Sequence, residues 1–446
     1  MGSLLKVEKI RIFGSIIKYF QKSHYWDGTP SAGFEPTTYD LTGHHYFQLS
    51  YKGRLPYILY KIIFKSFQKI PRNHTNQIKT IIHTIIYSYM TPEERYALIT
   101  KNLEEIIGDD TLKSKLADRE QLKIYWGTSP TGKPHIGYLL PLIKLAHFLK
   151  AHCRVVVLFA DLHAYLDNMK TSWELLKYRT QYYEEVIKKT LELLGVDTSI
   201  LFCVRGTKFQ LSEKYTLDMY KMLSKISVSE AQRAGAEVVK QTDNPMLSSL
   251  TYPILQALDE EYLGVDIEFG GIDQRKIFAL SHDFLPKIGY SKRIHLMNPM
   301  IPSFNRSADV KDTNKMSSSD PNSKIDLLDN PKDIQKKINK AFCEVGNISD
   351  NPLLTFCKYV IYPILELQGK SIFLIDRPVD YGGCMTFCGY EELEKKYSER
   401  LVHPVDLKLG VREFLINFLK PLRDYFEAED KQILIKKAYH IVPKLA

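Results

Sequence analysis

At 446 residues, 44% of them hydrophobic and 25% charged, the chain is long enough for two domains with a sizeable core, and it holds no apolar run long enough to cross a bilayer as a helix. Its net charge of +9 is uneven: residues 1–89 carry 12 of the 61 basic side chains and only 4 of the 52 acidic ones. A nucleic-acid partner would therefore be met by local patches and not by a uniformly basic surface. The cysteines Cys153, Cys203, Cys343, Cys357, Cys384 and Cys388 include no C-x-x-C pair. That excludes a zinc ribbon or disulfide framework and suits reduced thiols in the cytosol; Cys384, Cys388 and His403 do not read as a metal site, and no metal is expected.

Residues 1–89 are rich in Ile, Tyr, Lys and His, poor in acids, and lack a sustained helical or strand period. They match neither a myristoylation signal nor a transit peptide, and are expected to be an unstructured basic extension or a misassigned start. From Met90 the pattern changes. Thr91, Pro92 and Glu94 form a capping-box start for a helix. Strand-like runs at 123–127, 154–160, 200–204, 265–271 and 293–297 alternate with helical spacing at 135–152 and 172–195, the second stopping at Gly195. This alternation predicts an α/β fold with a parallel sheet covered by helices. Beyond about residue 325 helical patterns dominate, at 331–345, 351–367 and 405–428, and define a second, mostly helical domain. The expected division is thus 1–89, 90–325 and 326–446.

Three stretches carry chemistry. In "KIYWGTSPTGKPHIGY" (123–138) a strand ends at Gly127, and Thr128, Ser129, Thr131, Gly132, Lys133 and His135 precede a helix. Glycines permit close backbone approach, and hydroxyls and cationic donors suit phosphate at a helix start; a turn merely shaped by Gly and Pro is the alternative. Pro134 after Lys133 rules out a Walker A loop. In "NKMSSSDPNSKIDLLD", Lys315 with Ser317, Ser318 and Ser319 reads as a polar loop able to close over phosphates, or as a solvated linker. In "TYPILQALDEEYLGVDIEFGGIDQRK", Tyr252, Gln256 and Asp259 share one helix face. They line a small polar site or belong to a solvated face with Glu260 and Glu261. Gly270 and Gly271 then bring Asp273 and Gln274 out at a strand end.

His135-Ile136-Gly137-Tyr138 and Lys315-Met316-Ser317-Ser318-Ser319, about 180 residues apart, resemble the two signatures of class I aminoacyl-tRNA synthetases. Within that class, Tyr252, Gln256 and Asp259 followed by Gly270-Gly271-Ile272-Asp273-Gln274 are similar to the tyrosyl enzymes of eukaryotes and archaea, as are "LFADLHAYLDNMK" and "GYSKRIHLMNPM". The resemblance runs from about Met90 to the C-terminus.

That resemblance implies a Rossmann-like catalytic domain with a connective insertion at about 205–250, then a helical anticodon-binding domain. It implies activation of tyrosine by ATP, carried with Mg²⁺, and transfer of tyrosine to tRNA(Tyr) in the cytoplasm by a homodimer without membrane association or a tightly bound cofactor. His135, Lys315, Ser317 and Ser318 would be catalytic. Tyr125, Tyr252, Gln256, Asp259 and Gln274 would hold tyrosine; Gly127, Thr131, His135, Gly137, Gly271, Asp273 and Lys315 would hold ATP; Tyr381, His403 and Asp406 would read the anticodon. The chain departs from the class pattern at Tyr138, where a second histidine is common, and at Ser318, where many members have a second lysine. The stretch from Pro302 to Asn314 is also longer than expected. No further RNA-binding or cytokine-like domain is expected after the helical region. The rival readings are a tryptophanyl enzyme and a catalytically silent paralogue.

Overall fold

The computed structural model describes residues 90–167, 171–238, 245–304 and 324–439. All belong to one compact unit. The expectations for residues 1–89 and for Lys315, Ser317 and Ser318 lie outside the described residues.

Thr91 opens α1 (Pro92–Thr100) as predicted: its hydroxyl accepts from Glu94 N at 3.2 Å and the Glu94 carboxylate accepts from Thr91 N at 2.9 Å. There follow β1 (Glu105–Ile107), α2 (Asp109–Ala117) and β2 (Lys123–Thr128). A single 3₁₀ turn (Ile136–Tyr138) leads into α3 (Leu139–Lys150), then come β3 (Arg154–Phe159), α4 (Asp161–Leu166) and α5 (Trp173–Leu193). Gly195, with φ of +79°, ends α5 as expected. Next are β4 (Phe202–Arg205), α6 (Glu213–Leu223), α7 (Val228–Gly235), α8 (Leu247–Tyr262), β5 (Ile267–Gly271), α9 (Arg275–Phe284) and β6 (Ile294–Asn298).

The sheet order is β1-β6-β5-β2-β3-β4, parallel except for β1, which pairs antiparallel with β6. The chain thus winds outward from β2 in one direction and returns to its other side with β5. That reversal opens a crevice at the carboxyl ends of β2 and β5. The apolar runs of β3 and β6 are buried almost throughout because helices cover both faces. β1 escapes sequence reading because three half-buried residues at a sheet edge carry no alternation.

The helical region contains α10 (Pro331–Lys340), α11 (Pro352–Phe356), α12 (Tyr362–Leu367), β7 (Phe373–Ile375), β8 (Met385–Phe387), α13 (Tyr390–Ser398), α14 (Pro404–Phe426) and α15 (Glu429–Tyr439). The helix predicted over 351–367 is interrupted by a π turn, Cys357–Ile361. Pro363 lies just beyond it and has no N–H to continue the regular ladder. The β7–β8 hairpin, not anticipated from sequence, packs on α14. A Cβ on Gly410 of α14 would sit 2.8 Å from Ile375 Cγ1 and 2.9 Å from Phe373 Cζ.

Gly410→Ala therefore runs against helix propensity. Propensity favours Ala by about 1 kcal/mol, but overpacking against the hairpin costs roughly 1–3 kcal/mol. The expected result is a net loss of stability, read as a lower urea midpoint at unchanged m-value.

Candidate active site

A cavity of about 400 Å³ occupies the crevice. It gathers side chains from three separate parts of the chain: Tyr125, Gly127, Thr131, His135 and Gly137 from β2 and the turn after it; Tyr252, Gln256 and Asp259 from α8; and Gly271, Asp273 and Gln274 after β5. The structure thus brings together all the predicted tyrosine- and ATP-site residues that it describes.

At the deep end Asp259 is fully buried. Gln210 Nε2 donates to its two oxygens at 2.8 and 3.0 Å, and the Tyr215 hydroxyl donates to Oδ1 at 2.9 Å. Burial pushes the carboxyl well above its usual range, against the pull of these two donors. The alternative of a solvated acidic face is ruled out, since Glu260 is fully buried too. Tyr125, buried on β2, points its hydroxyl to the Gln256 carbonyl at 3.4 Å. His163, edge-on to Tyr252 at 4.6 Å between centroids, stands 3.9 Å from Asp259; burial lowers it to about 4, so it is neutral. Gln210 and Tyr215 were missed because nothing local marks them; His163 sits in the family-like stretch "LFADLHAYLDNMK".

At the mouth His135 caps the 3₁₀ turn, its Nδ1 accepting from Gly137 N at 3.2 Å. Burial, assisted by Lys324, lowers its pKa to about 3. The cationic donor expected from sequence is therefore a neutral imidazole, with Nδ1 spent on the backbone and Nε2–H left as donor. The turn itself is braced from below: Arg179 Nη1 donates to Thr131 O at 2.7 Å, and the Tyr183 and Tyr439 hydroxyls both donate to Gly132 O.

Glycines matter at the end of β5. A Cβ on Gly270 would lie 2.9 Å from Gln274 Cγ and from Phe278 Cζ, and one on Gly271 would lie 2.5 Å from Asp273 Oδ1. Their absence lets Asp273 and Gln274 fold back over the strand end. Gln256 Nε2 donates to Glu268 Oε1 at 2.9 Å and to Gln274 Oε1 at 3.3 Å. Asn298, which ends β6, also lines the cavity; it is buried, and neither atom of its amide finds a partner among the described residues. Such an amide is costly unless a ligand meets it.

The three residues singled out in the helical region lie away from the cavity. Tyr381 is 75% exposed on the turn Val379–Tyr381 between β7 and β8. His403 caps α14, its Nδ1 accepting from Val405 N at 3.3 Å. Asp406 accepts from Arg377 Nη1 at 3.0 Å, and Arg377 Nε reaches Gly383 O at 3.0 Å, so this pair ties α14 to the hairpin turn.

A parallel sheet with one antiparallel edge, a ligand crevice at its switch point and the turn carrying His135 define a class I aminoacyl-tRNA synthetase fold. Residues 117–420 match the family model of tRNA synthetases class I (W and Y), and the chain belongs to that family. It is 53% identical over 348 residues to the cytoplasmic tyrosine–tRNA ligase of Gallus gallus, covering 78% of this chain and 64% of that one. It is 50% identical to the cytoplasmic tyrosine–tRNA ligase of Saccharomyces cerevisiae, covering 75% and 84%. Among solved structures it resembles the tyrosyl-tRNA synthetase of Archaeoglobus fulgidus complexed with L-tyrosine, at 34% identity and a TM-score of 0.67, over 75% of this chain and 99% of that one. The chain thus spans a little under two thirds of the chicken relative.

Burial of Asp259 gives a test with a definite sign. Its folded pKa lies above the unfolded value, so the stability it contributes is complete at low pH and falls as pH rises above about 4. Asp259→Asn does not titrate, and Gln210 can turn its unpartnered oxygen to meet the new N–H. Melting temperatures at pH 5 and pH 8 are expected to show wild type losing ground to Asp259→Asn at the higher pH.

Proposed function

We propose that this chain is a tyrosine–tRNA ligase of the cytoplasm, which activates tyrosine with ATP and transfers it to the 3′ end of tRNA(Tyr). The observation that carries the reading is Asp259: a fully buried carboxyl with organised donors, beside the Tyr125 hydroxyl, at the closed end of a cavity whose mouth is the His135 turn.

In this reading the phenol hydroxyl of tyrosine meets Asp259 and Tyr125. Tyr252, Gln256 and Gln274 hold its α-ammonium, which places the carboxylate toward the mouth. ATP lies across Gly127, Thr131, Gly137, Gly271 and Asp273, with Asp273 at the ribose hydroxyls and Mg²⁺ carried on the phosphates. A carboxylate oxygen attacks the α-phosphorus in line, the bond to the β-phosphate bridging oxygen breaks, and pyrophosphate leaves. The nucleophile is already ionised, so positioning and charge stabilisation supply the rate. The His135 Nε2–H donates to the phosphates, and Lys315, Ser317 and Ser318 serve as further catalytic groups for them. A ribose hydroxyl at the tRNA 3′ end then attacks the tyrosyl carbonyl and AMP leaves. Residues 90–325 form the catalytic domain and 326–446 the anticodon-binding one, where exposed Tyr381 stacks on a base that His403 and Asp406 flank.

A homodimer joined through the connective segment fits the exposed apolar side chains there, among them Leu211, Leu217, Tyr220 and Val228. Tyrosine is favoured over tryptophan because an indole offers the Asp259 end an N–H of different reach and no hydroxyl. A site built to bond a substrate hydroxyl rejects the analogue lacking it by roughly 10⁴–10⁵, a range for which tyrosyl enzymes are themselves the reference case.

The test is ATP–pyrophosphate exchange with tyrosine, phenylalanine or tryptophan. Exchange with tyrosine alone is expected, with Asp259→Ala eroding the preference over phenylalanine. Lys315→Ala is expected to slow activation by about 10²-fold, roughly 3 kcal/mol. Exchange with none of the three amino acids would sink the reading.

A further inference from the structure

Beneath the ammonium end of the cavity lies a group of titratable side chains that the activation chemistry does not use. Glu260 on α8, Glu268 on β5 and His295 on β6 are all buried, and one ligating atom from each lies within 4.8 Å of the others. Glu260 Oε1 is well served: His295 Nε2 lies 3.0 Å away and the Ser281 hydroxyl donates to it. Glu268 Oε1 receives Gln256 Nε2 at 2.9 Å. Among the described residues the second oxygens, Glu260 Oε2 and Glu268 Oε2, complete no hydrogen bond.

Two adjacent buried carboxylates cannot both stay ionised, and two acceptors facing no donor are costly. One proton resolves both problems, since it turns one of the lone oxygens into a donor for the other. Its location follows from the surroundings. Glu260 already has the His295 and Ser281 donors and the field of Arg293, all of which favour its anion. Glu268 is raised by burial first and then by neighbouring Glu260, which together outweigh His295 and the Tyr125 hydroxyl, both of which favour its anion. Burial holds its proton on strongly, whereas Glu260 is pushed up only to about 7. His295 is lowered to about 4 and stays neutral.

We propose that Glu268 is a positioning residue for amino-acid recognition: the proton-bearing partner of Glu260, it holds Gln256 with its amide oxygen turned to the substrate ammonium. The proton sits on Oε2, so Oε1 can only accept. Gln256 must present N–H to it, and its other N–H goes to Gln274 Oε1 at 3.3 Å. With both N–H groups spent, the Gln256 oxygen is left for the cavity, and an ammonium needs an acceptor. A proton on Oε1 would reverse the amide and set N–H against the ammonium. The inference rests on the tyrosine-activation reading.

The experiment measures tyrosine-dependent pyrophosphate exchange by the full chain as wild type, Glu268→Leu and Glu268→Gln, with folding checked by circular dichroism. Infrared difference spectra of wild type against Glu268→Gln accompany it. Glu268→Leu frees the Gln256 amide, and is expected to raise KM for tyrosine about tenfold or more while KM for ATP moves less than about twofold. Glu268→Gln supplies an oxygen to Gln256 and an N–H to Glu260, and brings KM back to within about threefold of wild type. The difference spectrum is expected to contain the carbonyl stretch of a protonated carboxylic acid. Unchanged KM in Glu268→Leu, no rescue by Glu268→Gln, absence of the acid band, or one divalent ion per chain in the purified protein would each overturn the proposal. Wild type without tyrosine exchange would sink the activation reading instead, and the infrared band would still decide the proton. Should Glu268→Leu not fold, Glu268→Gln and the band carry the decision.

Discussion

The pairing of β2 with β5 is the constraint on which the rest of the molecule depends. These strands are far apart in sequence, yet their register sets Ile124 beside Ile267, Tyr125 beside Glu268 and Trp126 beside Phe269. Once that register is fixed, the turn after β2 and the Gly270–Gly271 strand end open into the same crevice, with α8 as its wall. A shift by one residue would put Tyr125 and Glu268 on opposite faces of the sheet.

Charge is managed in this crevice by withdrawing it from water. His135, His163 and His295 are all lowered by burial and are neutral near pH 7. Asp259, Glu260 and Glu268 are all raised by it. The floor of the site is therefore made of directed donors and acceptors more than of net charge. Such groups discriminate by hydrogen-bond geometry, and they keep their strength in salt because no exposed ion pair is involved. Burying this many polar groups is unfavourable for folding, a common cost where side chains are organised for a ligand.

The crevice was largely legible in the sequence because its residues come as local patterns. A strand running into hydroxyls and His135, a helix with Tyr252, Gln256 and Asp259 on one face, and a Gly-Gly strand end each show in a short window. The residues that support them do not. Gln210 and Tyr215 reach Asp259 from 49 and 44 residues away in sequence, and no local period announces them. The protonation of His135 was likewise invisible, since it follows from burial and from Lys324 arriving from a distant part of the chain. Short edges behave the same way: β1, β7 and β8 have three residues each, too few for alternation to register. Tyr381 was conspicuous as an aromatic and is exposed, whereas the capping by His403 and the tie from Asp406 to Arg377 appear only once the hairpin is folded onto α14.

The contact of α15 with the turn after β2 has a consequence for how shortened forms of this protein should be understood. Tyr439 donates to Gly132 O at 3.2 Å, and Arg179 joins Ala438 O at 3.0 Å to Thr131 O at 2.7 Å. The last described helix thus clamps the His135 side of the crevice from outside, although in sequence it belongs with the helices far from it. Removing α15 would leave Tyr183 and half of the Arg179 bridge to hold the turn. A form lacking that helix and impaired at the crevice would report a loosened turn, and would say nothing about what the helical region itself does.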